Sequence, residues 1–341
     1  MLFSLAGCLD KPEKKTYKTR SRELSRDYFN TFSSISTYGD ESDENIEKYL
    51  KIAEETFDYY HKLFDIHKDY DGVVNIKTIN DNAGIAPVTV SKEIVDLLEY
   101  CKELYTITGG KTNIMLGSVL TIWHDARTLA RETLYVLDPE YLPTEAELNE
   151  AAKHTCIDSL VIDSKASTVY ISDPEASIDV GAIAKGYVVD ILYGILVEEG
   201  ADSVVLNVGG NVRTIGLRPD GTMWKSGITN PNKESYESLA CKIKIGSKSI
   251  VTSGDYERYF VSDDVKYHHI IDPVTLVPAR YFASVSIITD SSALGDALST
   301  ALFCMSYEDG VKLIESIDGV EVIWIDLHYR VWTTPGIEII D

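Results

Sequence analysis

From residue 159 onward, short strand patterns crowd the chain and helices break into them without rhythm, an ordering that few architectures can accommodate. Strand-like runs cover Ser159 to Ile162, Thr168 to Ile171, Ser203 to Val208, Val212 to Leu217, Lys242 to Ile245 and Tyr256 to Val261. Helical patterns interrupt them near residues 181–199 and 293–306. A doubly wound parallel sheet needs strand and helix in regular turn, so irregular hairpins and helices predict an α+β class. Upstream, alternating Ser33, Ile35 and Thr37 mark a strand. Ile46, Leu50, Ala53, Phe57, Tyr60 and Phe64 recur at spacings of three and four, the mark of an amphipathic helix. A second helix starts at about Ser91, with Ile94, Leu97, Leu98, Cys101 and Leu104 on one face, and Gly109-Gly110 stops it. Thr144 to Glu147 after Pro143 is a capping box that opens a short third helix.

Charge narrows the function. Lys and Arg number 32 against 54 Asp and Glu, a net −22. So acidic a surface repels phosphate backbones and disfavours nucleic-acid binding. A phosphate ligand here calls for an added cation. No apolar run reaches the roughly 18 residues of a membrane-spanning helix. The five cysteines are widely spaced without a CxxC pair, which excludes an ordinary zinc knuckle, and a chain this large disfavours a disulfide framework. Four of them read as small buried hydrophobes. Cys8 differs: Leu5-Ala6-Gly7-Cys8 has the form of a lipobox, followed at once by polar sequence. Only seven residues precede it and none is basic, so residues 1–8 read as a truncated lipoprotein signal. Residues 9–25 then read as a polar tether and residues 26–341 as the folded unit, which a lipid on a processed Cys8 would anchor to the outside of the cell membrane.

Several segments could carry chemistry. Ser177 to Tyr187 reads as a strand ending on Asp179, a turn at Gly181 and a helix from Ala182, with Lys185 one turn in. A helix N-terminus suits a phosphate; the same segment also reads as a plain junction with Asp179 as N-cap and Lys185 solvated. Asn207 to Asn211 is a hairpin turn whose Gly209-Gly210 serves backbone geometry or close approach to a ligand. Thr252 to Arg258 concentrates hydroxyls and charges. In His268-His269-Ile270-Ile271-Asp272-Pro273, adjacent histidines on a strand point to opposite faces, so one faces a site and the other solvent. Asp296 and Thr300 are four apart on a helix of Ala and Leu, a carboxylate and a hydroxyl on one face that suit a hard cation such as Mg²⁺. They read equally as a solvent-facing Asp and a Thr bonded back to its own helix.

In chain order these segments resemble the FAD:protein FMN transferase family, the ApbE-type flavin transferases. The matching stretches are Phe29-Asn30-Thr31, Gly110 to Ile114, Ser177 to Tyr187, Asn207 to Asn211, Thr252 to Tyr256, His269 to Pro273 and Asp296 to Thr300. They span roughly residues 26–335, nearly all of the chain after the tether. The resemblance implies one composite α+β domain of mixed, mainly antiparallel sheets packed with helices. It implies Mg²⁺-dependent transfer of FMN from FAD to a Thr or Ser hydroxyl of a target protein, releasing AMP. By the same resemblance Phe29, His67, Lys111, Thr112, Asn113, Asp179, Lys185 and Ile271 contact FAD. Asp296, Thr300 and the Ala182 carbonyl hold the metal. His269 is the candidate for proton transfer, with Asp255 behind it. The same site acting on water would be an FAD pyrophosphatase, and without turnover a flavin-binding lipoprotein.

Two departures stand out. Leu276 occupies a position where the family pattern has Gly, which predicts either a different backbone conformation or a lost close approach to ligand. Lys111-Thr112-Asn113 replaces a commoner Ala-Met-Asp run.

Overall fold

A computed structural model describes residues 18–24, 28–39 and 42–340, so the lipobox around Cys8 lies outside the described residues. In chain order the elements begin with β1 (Thr19–Leu24), β2 (Ser33–Tyr38), α1 (Asp43–Phe64), α2 (Ile76–Asp81), β3 (Val88–Thr89), α3 (Lys92–Ile107), α4 (Gly117–Glu132) and α5 (Glu145–Ala151). They continue with β4 (Leu160–Asp163), β5 (Thr168–Ile171), α6 (Ala184–Glu198), β6 (Val204–Val208), β7 (Asn211–Ile215), β8 (Trp224–Thr229), β9 (Leu239–Ile245) and β10 (Ser249–Gly254). Last come β11 (Tyr259–Ser262), β12 (Val265–His268), β13 (Phe282–Thr289), α7 (Ser292–Phe303), α8 (Tyr307–Ile314), β14 (Glu321–Asp326), β15 (Val331–Thr333) and β16 (Ile339–Ile340).

Eight strands form the main sheet in the order β1-β2-β6-β7-β10-β13-β14-β15, and its pairings are antiparallel. The period-two pleat explains how it is covered on both faces. Val285, Ile287, Val322 and Trp324 pack with α7 on one face, while the intervening Ile288, Ile323 and Ile325 meet β8 and β9 on the other. Covered twice, β13 is buried at all of its eight positions. Helices α1, α3 and α6 close the β2–β6 end in a second cluster. Helices α6 and α7 approach so closely that a Cβ on Gly186 would lie 2.2 Å from the Ser292 carbonyl oxygen. The α+β class holds.

Several local expectations change. The segment read as a tether contains β1, which pairs with β2 and ties Arg20 to Asp43 and Arg22 to Glu47 of α1. Its polar composition is that of an edge strand, whose backbone still closes the open side of β2. Residues 177–179 form no ladder. Asn80 substitutes for a neighbouring strand, its Oδ1 accepting from the Ile178 N–H (2.8 Å) and its Nδ2 donating to the Ile178 carbonyl (2.9 Å). Leu276 keeps the left-handed conformation expected of Gly (φ 63°), with its side chain buried and its carbonyl accepting from the Trp123 indole at 2.8 Å. The steric cost of roughly 1–2 kcal/mol is offset by burying an apolar side chain. Cys101 and Cys304 are buried as expected, Cys241 is half-buried, and Cys156 is exposed.

Candidate functional site

A cleft of about 830 Å³ opens where the β6–β7 turn, β10, the start of α4, the 268–271 segment and the entries of α6 and α7 converge. That lies toward the upper end of the roughly 300–1,000 Å³ typical of ligand pockets. The β6–β7 turn reaches it because Gly209 and Gly210 are both left-handed (φ 57° and 86°), as a two-residue hairpin turn requires. Trp123, Tyr267 and Phe260 stack in series along one side, with centroids 5.8 and 5.3 Å apart.

The inner wall carries the oxygen donors. Asp296 is 6% exposed; its Oδ2 accepts from the Gly186 N–H at 2.6 Å and lies 3.7 Å from Lys185 Nζ. Burial raises its pKa, with Lys185 and the Gly186 bond only partly countering. A buried carboxylate so thinly compensated is costly unless a cation joins it. The Gly186 bond has a second effect. It diverts the N–H that would close the first turn onto the Ala182 carbonyl, and among the described residues no donor replaces it. The Thr300 hydroxyl likewise takes no hydrogen bond from a described residue, and Ala182, Asp296 and Thr300 all line the cleft. Carboxylate, hydroxyl and carbonyl are a hard oxygen set that fits Mg²⁺, with remaining positions for water or substrate oxygens. Asp190 of α6 holds this wall together: its carboxylate accepts from Ser291 Oγ, Ser292 N and Ala293 N at 2.7, 2.7 and 3.0 Å, fixing the start of α7.

The strand alternation expected for the two histidines does not apply, because β12 ends at His268, and both residues border the cleft. His269 lines the cleft, while His268 is turned into the core rather than to solvent, with its ring edge-on to Phe303 and Nε2 2.7 Å from the Ala279 carbonyl. His269 Nδ1 is buried without a hydrogen-bond partner. Burial first, then Arg258, His268, Arg127 and Lys185, hold its pKa well below the usual histidine range. It is therefore a neutral base at neutral pH. Asp255 does not line the cleft; it faces Lys266 at 3.0 Å, and that pairing removes it as a base for this site.

Asp179 and Lys185 meet the cleft through the bend ahead of α6: Asp179 Oδ1 accepts from the Gly181 N–H (2.8 Å), and Lys185 Nζ reaches the Gly181 carbonyl (3.3 Å). Lys111 also lines it, paired with buried Asp272 at 2.9 Å. Thr112 and Asn113 are there in backbone, but their side chains are spent elsewhere. Thr112 Oγ1 donates to the Ala297 carbonyl (2.7 Å); Asn113 donates to the Thr155 carbonyl (2.9 Å) and accepts from the Met115 N–H (2.9 Å). Ile271 is buried at the edge of the cleft. Phe29 is not brought to it: it packs edge-on against Phe57 and His61. His67 is exposed and stacks at 5.4 Å on His124, which lines the cleft. Sequence reasoning missed Trp123, His124 and Arg127, although Val119, Trp123, Ala126 and Ala130 carry a legible helical spacing in α4. Arg258 falls at the end of the Thr252 to Arg258 segment singled out for its charges, but no role was assigned to it.

A cofactor-sized cleft with uncommitted oxygen donors beside a helix entry and a neutral base belongs to the class of nucleotide-binding sites equipped for group transfer. The family model described as the ApbE family matches residues 29–324, and the chain belongs to that family. The FAD:protein FMN transferase of Treponema pallidum (strain Nichols) is 33% identical over 271 residues, which cover 77% of this chain and 73% of that protein. The FAD:protein FMN transferase of Vibrio cholerae (serotype O1) is 31% identical over 245 residues, covering 71% and 69%. Among solved structures, the ApbE protein of Thermotoga maritima matches with a TM-score of 0.77 and 28% identity over 94% of this chain and 97% of its own. The flavin transferase ApbE of Vibrio cholerae matches with a TM-score of 0.75 and 25% identity over 94% and 98%.

Proposed function

We propose that this chain transfers FMN from FAD to a Thr or Ser hydroxyl of a target protein, with release of AMP and the help of Mg²⁺. The observation that supports this most directly is the diverted Gly186 N–H. One hydrogen bond both fixes Asp296 and frees the Ala182 carbonyl, leaving an open oxygen set at the mouth of a helix. Relatives carrying the name FAD:protein FMN transferase support the same reading.

Asp296, Thr300 and Ala182 would hold the metal, which when bound neutralises the diphosphate and stabilises charge developing in the transition state. Lys185, in the first turn of α6, binds phosphate oxygens. The stacked Trp123, Tyr267 and Phe260 offer apolar edges to a flat ring. His269, held neutral, takes the proton of the acceptor hydroxyl at its imidazole. The acceptor oxygen forms a bond to the flavin-side phosphorus, the bridging P–O bond breaks, and AMP leaves with that electron pair.

The test is to incubate purified protein with FAD, Mg²⁺ and an acceptor domain, and then weigh the acceptor. A mass gain of one FMN, abolished by EDTA and by Asp296→Ala, is expected. Free FMN beside unmodified acceptor would overturn transfer in favour of hydrolysis, and stoichiometric FAD without AMP would overturn both. The lipid anchor at Cys8, which would place the enzyme outside the cell membrane, is part of this proposal and rests on sequence. Labelling of the protein by a radioactive fatty acid, lost in Cys8→Ser, is expected.

A further inference from the structure

An acidic chain normally pairs its cations, and near the cleft most are paired. Lys111, Lys185 and Lys266 lie 2.9, 3.7 and 3.0 Å from carboxylate oxygens of Asp272, Asp296 and Asp255. Arg127 and Arg258 also line the cleft, yet neither forms an ion pair within the described residues. Arg127 spends one Nη2 on His124 Nδ1 at 3.1 Å, a neutral acceptor. Arg131 follows it four residues on along the same face of α4, a like-charge spacing that disfavours the helix. Charge is thus gathered where it destabilises the protein itself. Burial chiefly lowers the proton affinity of Arg127; Arg258 and Arg131 lower it further, and Asp179 across the cleft counters them only in part. Both arginines also act on His269. Asp179 and Glu257 line the same cleft and act on Arg127 and Arg258, yet neither closes to an ion pair, and two guanidiniums left so in a chain of net −22 point to a missing anion.

We propose that Arg127 and Arg258 form an anion subsite of the cleft, separate from the oxygen donors of Asp296, Thr300 and Ala182, whose ligand is the flavin-side phosphoryl group. The guanidinium fork matches phosphoryl oxygens two at a time, which a lysine cannot do. His269 lines the same cleft as both arginines and feels their charge, so an anion they hold shares that cleft with the group that takes the acceptor's proton. In the transfer reading, on which this proposal rests, the phosphorus next to that base is the one being attacked. The subsite then keeps hold of the phosphoryl group while AMP departs from the Lys185 side.

The experiment compares the binding of FMN and of riboflavin to the full chain in EDTA, by quenching of flavin fluorescence. The two ligands differ only in the phosphate, and EDTA removes the metal from the comparison. The unaltered protein is expected to prefer FMN by about tenfold or more, the worth of one charge-assisted contact pair. That preference should shrink as salt rises from about 0.05 to about 0.5 M, because open charges are screened. The double variant Arg127→Gln/Arg258→Gln should bind the two flavins within about twofold of each other while its riboflavin affinity is unchanged, which also shows that it is folded. Arg127→Lys/Arg258→Lys should retain part of the preference. No preference in the unaltered protein would overturn the proposal. So would a preference that survives in the Gln variant, including the case where only the KM for the acceptor rises and the arginines serve the acceptor instead. Failure of FMN transfer by the unaltered protein would sink the transferase reading and leave the FMN–riboflavin difference in place, so the two failures are distinguishable.

Discussion

The inner and outer walls of the cleft are built on opposite terms. On the inner wall, α6 and α7 touch backbone to backbone at Gly186, Asp190 clamps the start of α7 with three hydrogen bonds, and Asp296 is buried with one oxygen engaged. On the outer wall, α4 and the 257–271 segment present Arg127, Arg258 and a histidine whose Nδ1 has no partner. The inner wall is rigid because its polar groups satisfy one another and leave three oxygens over. The outer wall leaves whole charged groups over. Preorganised donors hold one position exact in space, whereas unpaired cations wait for a ligand to complete them.

Five results would sharpen or break this contrast, beginning with the largest. Asp296→Ala should lower FMN transfer by several kcal/mol of barrier, about 10³-fold, measured as AMP release; a loss below about tenfold would mean that the inner wall is not the reacting end. Asp296→Asn should lose transfer as well, yet melt higher than the unaltered protein in EDTA at pH 7. The folded pKa of Asp296 is raised, so its favourable contribution belongs to low pH and is lost as pH rises through the folded value. The gap between the two melting temperatures should therefore close as pH falls toward 4.

His269→Ala should cost about 10²-fold or more in rate while FAD binding persists. Because the His269 pKa is lowered, the base form survives acidification, and the rate should stay level below pH 6.5 before it falls. A midpoint at or above 6.5 would remove His269 as the base. Gly186→Ala should destabilise the fold by about 1–3 kcal/mol in a denaturant melt, since the new methyl group would meet the Ser292 carbonyl. The smallest effect is expected at Asp255→Asn, where transfer should change less than about twofold and stability by less than about 1 kcal/mol, as for a partly exposed ion pair. A large loss of rate there would return Asp255 to the site.

Much of this was legible beforehand, and the misses have a common cause. The spacing of Ile46 to Phe64 yields α1, and the Thr144–Glu147 capping box opens α5. The four-residue step from Asp296 to Thr300 sets both on one side of α7. Each of these follows from local periodicity. What went astray was the use made of a side chain once distant segments arrive. Thr112 and Asn113 sit at the cleft but point their polar atoms at Ala297, Thr155 and Met115. Asp255 turns to Lys266, and Asn80 stands in for a strand at Ile178. Leu276 keeps a glycine-like backbone because Trp123 and the surrounding apolar cluster hold it there.

The sequence by itself determined the α+β class, the principal helices, the acidic surface and the residues from which the site is drawn, because periodicity, capping and charge are properties of neighbours along the chain. Tertiary structure alone decided that the N–H of Gly186 would leave Ala182 for Asp296, 110 residues away, and that Arg127 and Arg258 would line the same cleft as His269 without forming an ion pair among the described residues. Those outcomes depend on which buried polar group finds which partner after α6, α7 and the sheet have packed, and a hydrogen bond across that distance has no signature in the spacing of residues.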